Sequence, residues 1–132
     1  MHTYFENQSG SFSASVEGMA APTTHDMEAC TRRDEALTRA FTLLGKRWVA
    51  VVLGSLRAGP AGFRELSRAI DGVSDSVLSD RLSELTKEGL VARKVDEGPP
   101  ITVSYELTEA GRALIPALEQ ISQWAQDHLP PR

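Results

Sequence analysis

Apolar residues recur at helical spacing in the segment that begins at Ser74 and ends at Gly89. Leu78, Leu82 and Leu85 lie at i, i+4 and i+7, which places them on one stripe of a helix. The Ser74 hydroxyl can cap the first turn, and Gly89 suits the left-handed position that follows a helix. The pattern predicts an amphipathic helix whose opposite, polar face carries Ser76, Ser79, Asp80 and Ser83.

Two stretches after this helix alternate apolar and polar residues. Residues 91–95 and 101–107 both follow a period of two, which predicts strands with one buried face. Between them, residues 96–100 contain a glycine followed by two prolines, which interrupt a strand and favour a turn. We therefore predict a β-hairpin directly after the helix.

Three further helices are predicted upstream. Residues 34–44 are amphipathic, residues 48–56 are apolar on most sides as expected at a domain centre, and residues 63–70 form a short helix. A turn that contains Gly72 joins this short helix to the one that follows, and two helices joined in this way are typical of a helix-turn-helix. With the hairpin, the elements predict a mainly α chain (α+β) that folds as a winged helix-turn-helix, a module that reads DNA.

A last helix is predicted from Thr108 to about residue 128, with Pro116 either kinking it or leaving a carbonyl unpaired. Its apolar residues follow a heptad-like spacing that suits packing against another helix. Two interpretations remain open, namely that the helix mediates dimerisation or that it covers the core of its own domain. The residues predicted for a dimer interface are Leu114, Leu118, Ile121 and Trp124.

Composition limits the possible functions. The chain has 132 residues, enough for one domain, and it contains no long apolar run or signal-peptide pattern, so we expect a cytoplasmic protein without a membrane partner. One cysteine and three scattered histidines predict no metal site, and no cofactor or catalytic group is expected. We predict a disordered tail at residues 1–27 and a winged-helix domain at residues 28–132. Whether part of the tail is a cloning remnant or a misassigned start is left open.

The net charge of −4 conceals a local basic region. All fourteen Lys and Arg residues follow Cys30, together with fourteen of the eighteen acidic residues, so this part of the chain is neutral. Residues 39–70 contain six basic residues against the single acid Glu65. A local positive field of this kind can engage phosphates even when the whole chain is acidic.

Several short motifs occur in a characteristic order: Cys30, Leu44-Gly45-Lys46-Arg47-Trp48, Phe63-Arg64-Glu65-Leu66, Leu78-Ser79-Asp80-Arg81-Leu82, Glu88-Gly89-Leu90-Val91, Arg93, Pro100, Tyr105-Glu106-Leu107-Thr108, Gly111 and Trp124. In this order and spacing the chain resembles the HxlR family of bacterial winged-helix transcription regulators, relatives of the MarR group. The resemblance covers residues 30–128. It implies a homodimer held by the first and last helices, which binds a pseudo-palindromic double-stranded operator and usually represses a neighbouring gene in response to a small electrophile or oxidant.

The resemblance also assigns roles to individual residues. It implies that the polar face of the Ser74 helix reads DNA, with the carboxylate of Asp80 accepting from a cytosine amino group. Arg81 lies nearer the apolar stripe and is expected to brace Glu84, Glu88 or a neighbouring helix. The expected DNA contacts are phosphate contacts from Lys46, Arg47 and Arg64, base or phosphate contacts from Ser74, Ser76, Ser79, Asp80 and Ser83, and wing contacts from Arg93 and Lys94.

Two features depart from the family pattern. Relatives commonly carry a basic residue where Ser76 and Ser83 stand, and the tip of this hairpin contains Asp96 and Glu97, which repel phosphate. Both features lower the expected affinity for DNA. They keep open a second interpretation, a winged helix that binds protein and no longer binds DNA, which salt-sensitive duplex binding would exclude.

Cys30 also has two interpretations. It is expected just before the first helix, where some relatives use a cysteine to sense quinones, aldehydes or oxidants. Arg32, Arg33 and a nearby helix N-terminus favour the thiolate, whereas Asp26 and Glu28 oppose it. The alternative is a small side chain that fills a pocket at the dimer interface.

Overall fold

The computed structural model describes residues 23–132, and seven elements follow one another along this range. Its helices and strands are α1 (Thr24–Leu44), α2 (Val49–Ser55), α3 (Phe63–Ala69), α4 (Asp75–Lys87), β1 (Val91–Asp96), β2 (Thr102–Leu107) and α5 (Glu109–His128). The strands pair as an antiparallel hairpin between α4 and α5. This order confirms the predicted mainly α fold, a winged helix-turn-helix in which α3 and α4 form the helix-turn-helix.

The hydrophobic core lies in the larger of two compact units, Thr42–Ile121. The stripe on α4 is buried as predicted, with Leu78, Leu82 and Leu85 each at most 1% exposed. From α2, Val49 and Leu53 are completely buried in the same cluster, which confirms the central position predicted for this helix. The second unit contributes residues 23–41 and 122–132 to the described range.

Both ends of α4 are capped as the sequence predicts. The Ser74 hydroxyl accepts a hydrogen bond from the Val77 N–H at 3.2 Å. At the other end Gly89 adopts φ 82°, and its N–H donates to the Thr86 carbonyl at 3.1 Å. The Leu90 N–H donates to the Leu85 carbonyl at 3.0 Å, which completes a Schellman motif. The polar face of α4 is therefore carried by a helix with defined limits.

The hairpin differs from the prediction at its outer end. Val91 pairs with Leu107 and both are buried, but Ile101, expected on the buried face, precedes β2 and is 73% exposed. Only the base of the hairpin packs on the core, so the alternation that predicts a buried face holds for part of its length. The prediction also missed Ala61, which exchanges hydrogen bonds of 3.0 and 2.8 Å with Tyr105 and adds a short third segment beside β2.

Two helices begin at positions other than those predicted. The first helix begins at Thr24 instead of residue 34, because Thr23 and Asp26 cap it reciprocally: the Asp26 N–H donates to the Thr23 hydroxyl at 3.1 Å, and the Thr23 N–H to Asp26 Oδ2 at 3.5 Å. Four residues of the predicted tail are thus helical, and residues 1–22 lie outside the described range. The second helix begins after Trp48, whose φ of 78° is left-handed and incompatible with the helix.

The C-terminal helix follows the prediction closely. The Thr108 hydroxyl accepts from the Gly111 N–H at 3.1 Å and caps α5, which ends at His128. The helix continues through Pro116, which supplies no N–H to the hydrogen-bond ladder. Within residues 23–132 no helix is long and apolar enough to cross a membrane.

Candidate nucleic-acid interface

The exposed face of α4 is the principal candidate surface. Ser76, Ser79, Asp80 and Ser83 are all exposed, and the leucine stripe on the other side of the same helix is buried. Because helical residues three or four apart share a face, these four side chains form one polar surface, which we call the recognition face. Small hydroxyls and one carboxylate allow close approach of another surface and offer both donors and acceptors.

Local hydrogen bonds fix α3 relative to α4. The Ser67 hydroxyl donates to Asp75 Oδ1 at 3.0 Å and joins the two helices directly. Glu65 caps the start of α3, because its carboxylate accepts a hydrogen bond from the Gly62 N–H at 2.8 Å. This capping role explains the glutamate of the Phe-x-Glu-Leu motif. Gly72 in the turn between the helices has φ 92°, a conformation that favours glycine. The recognition face is therefore presented by a braced pair of helices.

An ion-pair network borders the recognition face. Lys46 Nζ lies 2.6 Å from Glu84 Oε2, and Arg81 Nη1 lies 3.1 Å from Glu84 Oε1. Arg81 Nε also donates to the carbonyl of Arg47 at 2.9 Å, so the prediction that Arg81 braces Glu84 is confirmed. The hydrogen bond from Lys46 is the main reason that the pKa of Glu84 lies below its usual range, and the charges of Lys46 and Arg81 act in the same direction.

Trp48 packs against the turn of the helix-turn-helix. A Cβ atom placed on Gly72 would lie 3.4 Å from the Trp48 ring, so the ring sits directly on the turn. The guanidinium carbon of Arg47 lies 4.9 Å from the centroid of the same ring, a cation–π geometry. The left-handed backbone of Trp48 is a costly conformation for a bulky residue, and the surrounding contacts hold it in place.

The three predicted phosphate contacts have different environments. Arg64 is exposed on α3 and makes no hydrogen bond or ion pair within residues 23–132. Lys46 is paired with Glu84, and the Arg47 guanidinium stacks on Trp48. Among these three cations, Arg64 is consequently the one whose charged group makes no hydrogen bond, ion pair or cation–π contact within residues 23–132.

Arg93 and Lys94 do not share a face of the hairpin. Arg93 is paired with Tyr105 and Lys94 with Ser104 on adjacent rungs, and successive side chains of a strand point to opposite faces. A DNA duplex bound to one face of the hairpin would therefore contact either Arg93 or Lys94, but not both. At the tip, Asp96 Oδ1 accepts from the Gly98 N–H at 3.1 Å, so one tip carboxylate also shapes the turn.

The predicted dimer residues fall into two groups along α5. Leu114 and Leu118 are partly buried and pack against the core of their own unit, as one of the two interpretations proposed. Ile121 and Trp124 are 43% and 45% exposed, as the other interpretation requires. Further large apolar side chains are exposed on α1: Met27 at 59%, Leu37 at 59% and Phe41 at 50%.

Cys30 lies inside α1 and not just before it, which corrects the sequence-based placement. Its side chain is exposed, and Arg33 Nη2 donates to its sulfur at 3.0 Å. The residue is more than one turn from Thr24, so the helix-dipole argument for a thiolate does not apply, because that effect is confined to the first turn. Arg33 is the cation in direct contact with the sulfur.

Sequence reasoning missed Trp48 and Gly72 as contact partners and underrated Glu84. The only local signal for Glu84 was the i, i+3 spacing from Arg81, which places the two side chains on one helix face. Nothing local connects Lys46 to Glu84, since 38 residues separate them. These contacts depend on how the helices pack.

Comparison with known proteins agrees with this description. The sequence profile of HxlR-like helix-turn-helix proteins matches residues 43–132. YvaP of Bacillus subtilis (strain 168), an uncharacterized HTH-type transcriptional regulator, is 40% identical over 104 residues, which are 79% of this chain and 93% of YvaP.

Solved structures show the same fold. The reduced form of the transcriptional regulator YodB from B. subtilis superposes with a TM-score of 0.68 and 36% identity, covering 74% of this chain and 95% of YodB. YodB is also solved in diamide-treated and quinone-bound forms. The oxidized form of the redox regulator HypR has a TM-score of 0.67 and 27% identity, covering 73% of this chain and 99% of HypR.

Proposed function

Because the chain belongs to the HxlR-like helix-turn-helix family, whose relatives are transcriptional regulators and not enzymes, we propose that it binds double-stranded DNA sequence-specifically as a homodimer. Residues 28–132 constitute the DNA-binding and dimerisation domain in this proposal. The residues before position 28 are assigned no role.

One observation carries the proposal: the recognition face is polar, exposed and mounted on a helix whose opposite face is buried. A helix of this kind fits the major groove, where base edges present their donors and acceptors. Asp80 can accept from a cytosine amino group, and Ser79 beside it can contact a base or a phosphate. In a two-fold symmetric dimer, two such helices read half-sites about 34–36 Å apart or a multiple of that distance, which corresponds to a pseudo-palindromic operator.

Arg64→Ala is expected to weaken binding to operator and to scrambled DNA by similar factors. The arginine is exposed and, within residues 23–132, makes no hydrogen bond or ion pair that its loss would leave unpaired, and a phosphate contact is independent of base sequence. The slope of log affinity against log salt should become shallower by about 1. Anisotropy titrations across a salt series measure both quantities, and Arg112→Ala, an exposed arginine on α5, is the matched control. An unchanged slope would remove Arg64 from the interface.

Trp124→Glu is expected to raise the dimer dissociation constant by about 30-fold or more, because the indole is 45% exposed and a buried interface tryptophan typically contributes at least about 2 kcal/mol. Analytical ultracentrifugation over a concentration series measures the constant. Ser122→Glu introduces the same charge at an exposed polar position two residues earlier and should leave the dimer intact. Equal dissociation constants for the two variants would argue against an interface at Trp124.

We further propose that oxidation of Cys30 regulates binding. The exposed thiol and its Arg33 partner support this proposal. The similarity of the chain to the redox regulator HypR supports it as well. Diamide, which couples two thiols into a disulfide, should lower operator affinity about tenfold. With one cysteine per chain, the disulfide joins Cys30 to a second copy or to a small thiol. Cys30→Ser should bind equally well before and after treatment, and an equal loss in both proteins would exclude the thiol as sensor.

The hairpin favours a second candidate function, a winged helix that binds protein. Its outer end combines the acidic tip residues Asp96 and Glu97 with exposed Ile101, a surface unsuited to phosphate. The salt series separates the two functions, because phosphate contacts release counterions and binding of DNA weakens steeply with salt. Failure of the protein to bind any duplex would favour this alternative.

A further inference from the structure

The three residues that precede α2 each contact the helix-turn-helix. We call residues 46–48 the strap. Lys46 donates to Glu84 on α4, the carbonyl of Arg47 accepts from α4, and the Trp48 ring rests on the turn before α4. Consecutive residues thus make three contacts with one helix and the turn before it: a salt bridge, a hydrogen bond from the Arg81 side chain to a backbone carbonyl, and an aromatic contact.

Glu84 is the residue through which the strap meets the edge of the recognition face. It follows Asp80 by four positions on the same helix, so the two side chains are neighbours on the helix surface. Its carboxylate oxygens accept separately, Oε2 from Lys46 at 2.6 Å and Oε1 from Arg81 at 3.1 Å. The Lys46 ammonium is thereby held at the border of the recognition face, on the Asp80 side.

We propose that Glu84 is a positioning residue for DNA recognition, which fixes the Lys46 ammonium in register with the bases read by α4. This inference rests on the proposed function. An ammonium has three donors and Glu84 uses one, so two remain for a phosphate. Lysine has a long, flexible stem, and holding it in one geometry before binding lowers the entropy lost on the operator. Without Glu84, Lys46 can still contact phosphates, but the position of its ammonium relative to the bases read by α4 is no longer fixed.

Glu84→Gln is therefore expected to change the affinities for operator and for scrambled DNA by different factors. Operator affinity should fall about tenfold, because the ammonium is no longer held in place. Affinity for scrambled duplex should stay the same or rise about threefold, because a negative charge beside the DNA is removed. The ratio of operator to scrambled affinity should consequently fall at least about tenfold. Loss of folded protein would lower both affinities, and a purely electrostatic role would change both by one factor, so neither reproduces this result.

The experiment measures both affinities by anisotropy on a duplex selected from a random library and on a scrambled duplex. Glu88→Gln, which removes the same charge one turn further along, is the matched control and should leave the ratio unchanged. Glu84→Gln should have little further effect on the ratio when introduced into Lys46→Gln, because it acts through that lysine. Urea unfolding checks that each variant is folded. If Glu84→Gln does not fold, Lys46→Gln, which removes the other partner of the pair, should itself lower the ratio of operator to scrambled affinity.

The outcomes are distinguishable. The inference is supported if Glu84→Gln lowers the ratio of operator to scrambled affinity in the otherwise wild-type protein but does not lower it further in the Lys46→Gln background. An unchanged ratio in a protein whose wild type selects its operator overturns the inference and leaves the proposed function standing. Failure of the wild type to distinguish operator from scrambled duplex overturns the proposed function, and the inference with it.

Discussion

Ser79→Glu is expected to weaken operator binding at least about 100-fold while the protein remains folded and dimeric. Ser79 is exposed on the recognition face, between Ser76 and Ser83 along the helix, and Leu78 and Leu82, which anchor the helix, are buried. A carboxylate at this position faces the phosphate backbone and base acceptors in the groove, and the repulsion between like charges costs several kcal/mol. Glutamate is a good helix former, so the fold should tolerate the change.

Anisotropy on the operator duplex measures this loss, together with urea unfolding and ultracentrifugation of the same protein. Ala110→Glu places an equal charge on an exposed residue of α5 and should bind as the wild type does. If Ser79→Glu still binds the operator tightly, a surface other than the recognition face reads the DNA.

Gly111→Ala is expected to lower the free energy of unfolding by about 3 kcal/mol, a large loss for a single methyl group. A Cβ atom at this position would lie 2.2 Å from the carbonyl oxygen of Leu90 and 3.2 Å from a methyl group of Leu107. The oxygen belongs to the backbone, and it already accepts a hydrogen bond from the Thr108 N–H at 3.0 Å. Relieving the clash would therefore require a backbone shift that strains or breaks this hydrogen bond. The close approach explains the glycine of the Thr-x-x-Gly motif.

Urea unfolding at neutral pH measures the change, and Gly54→Ala is the matched control. Gly54 also lies in a helix, but among residues 23–132 a Cβ atom there would have no atom within 4 Å apart from its chain neighbours and the backbone of its own helix. Without a clash, alanine is the better helix former by up to about 1 kcal/mol, so this variant should be as stable as the wild type or more stable. Gly111→Ala with wild-type stability would show that α5 approaches Leu90 less closely than described.

The core of the fold could be predicted from local patterns. Leu78, Leu82 and Leu85 are buried because the helical period assigns them to one face, and Ser74 and Gly89 close α4 through short-range backbone hydrogen bonds. The same helical period identifies the recognition face, because the polar residues of α4 that lie away from the leucine stripe remain exposed. Interactions within one or two helical turns are encoded in adjacent residues, and reasoning from sequence captures them.

Other features depend on packing that local patterns do not encode. Trp48 fits a helical apolar pattern, yet its left-handed backbone arises where the strap meets the turn at Gly72. Ile101 fits a strand pattern, but the hairpin extends beyond the core that would bury it. The partner of Lys46 on α4 is distant in sequence and becomes visible only in the folded chain.

Fluorescence anisotropy of the reduced protein on labelled duplex DNA from upstream of its own gene tests whether the protein binds DNA sequence-specifically. The titration is run with scrambled competitor at about 50 and 200 mM salt. We expect saturable binding that survives the competitor and weakens about 1,000-fold or more at the higher salt, as for a dimer with several phosphate contacts. Binding that the competitor abolishes, or no binding at either salt concentration, would contradict the proposed function.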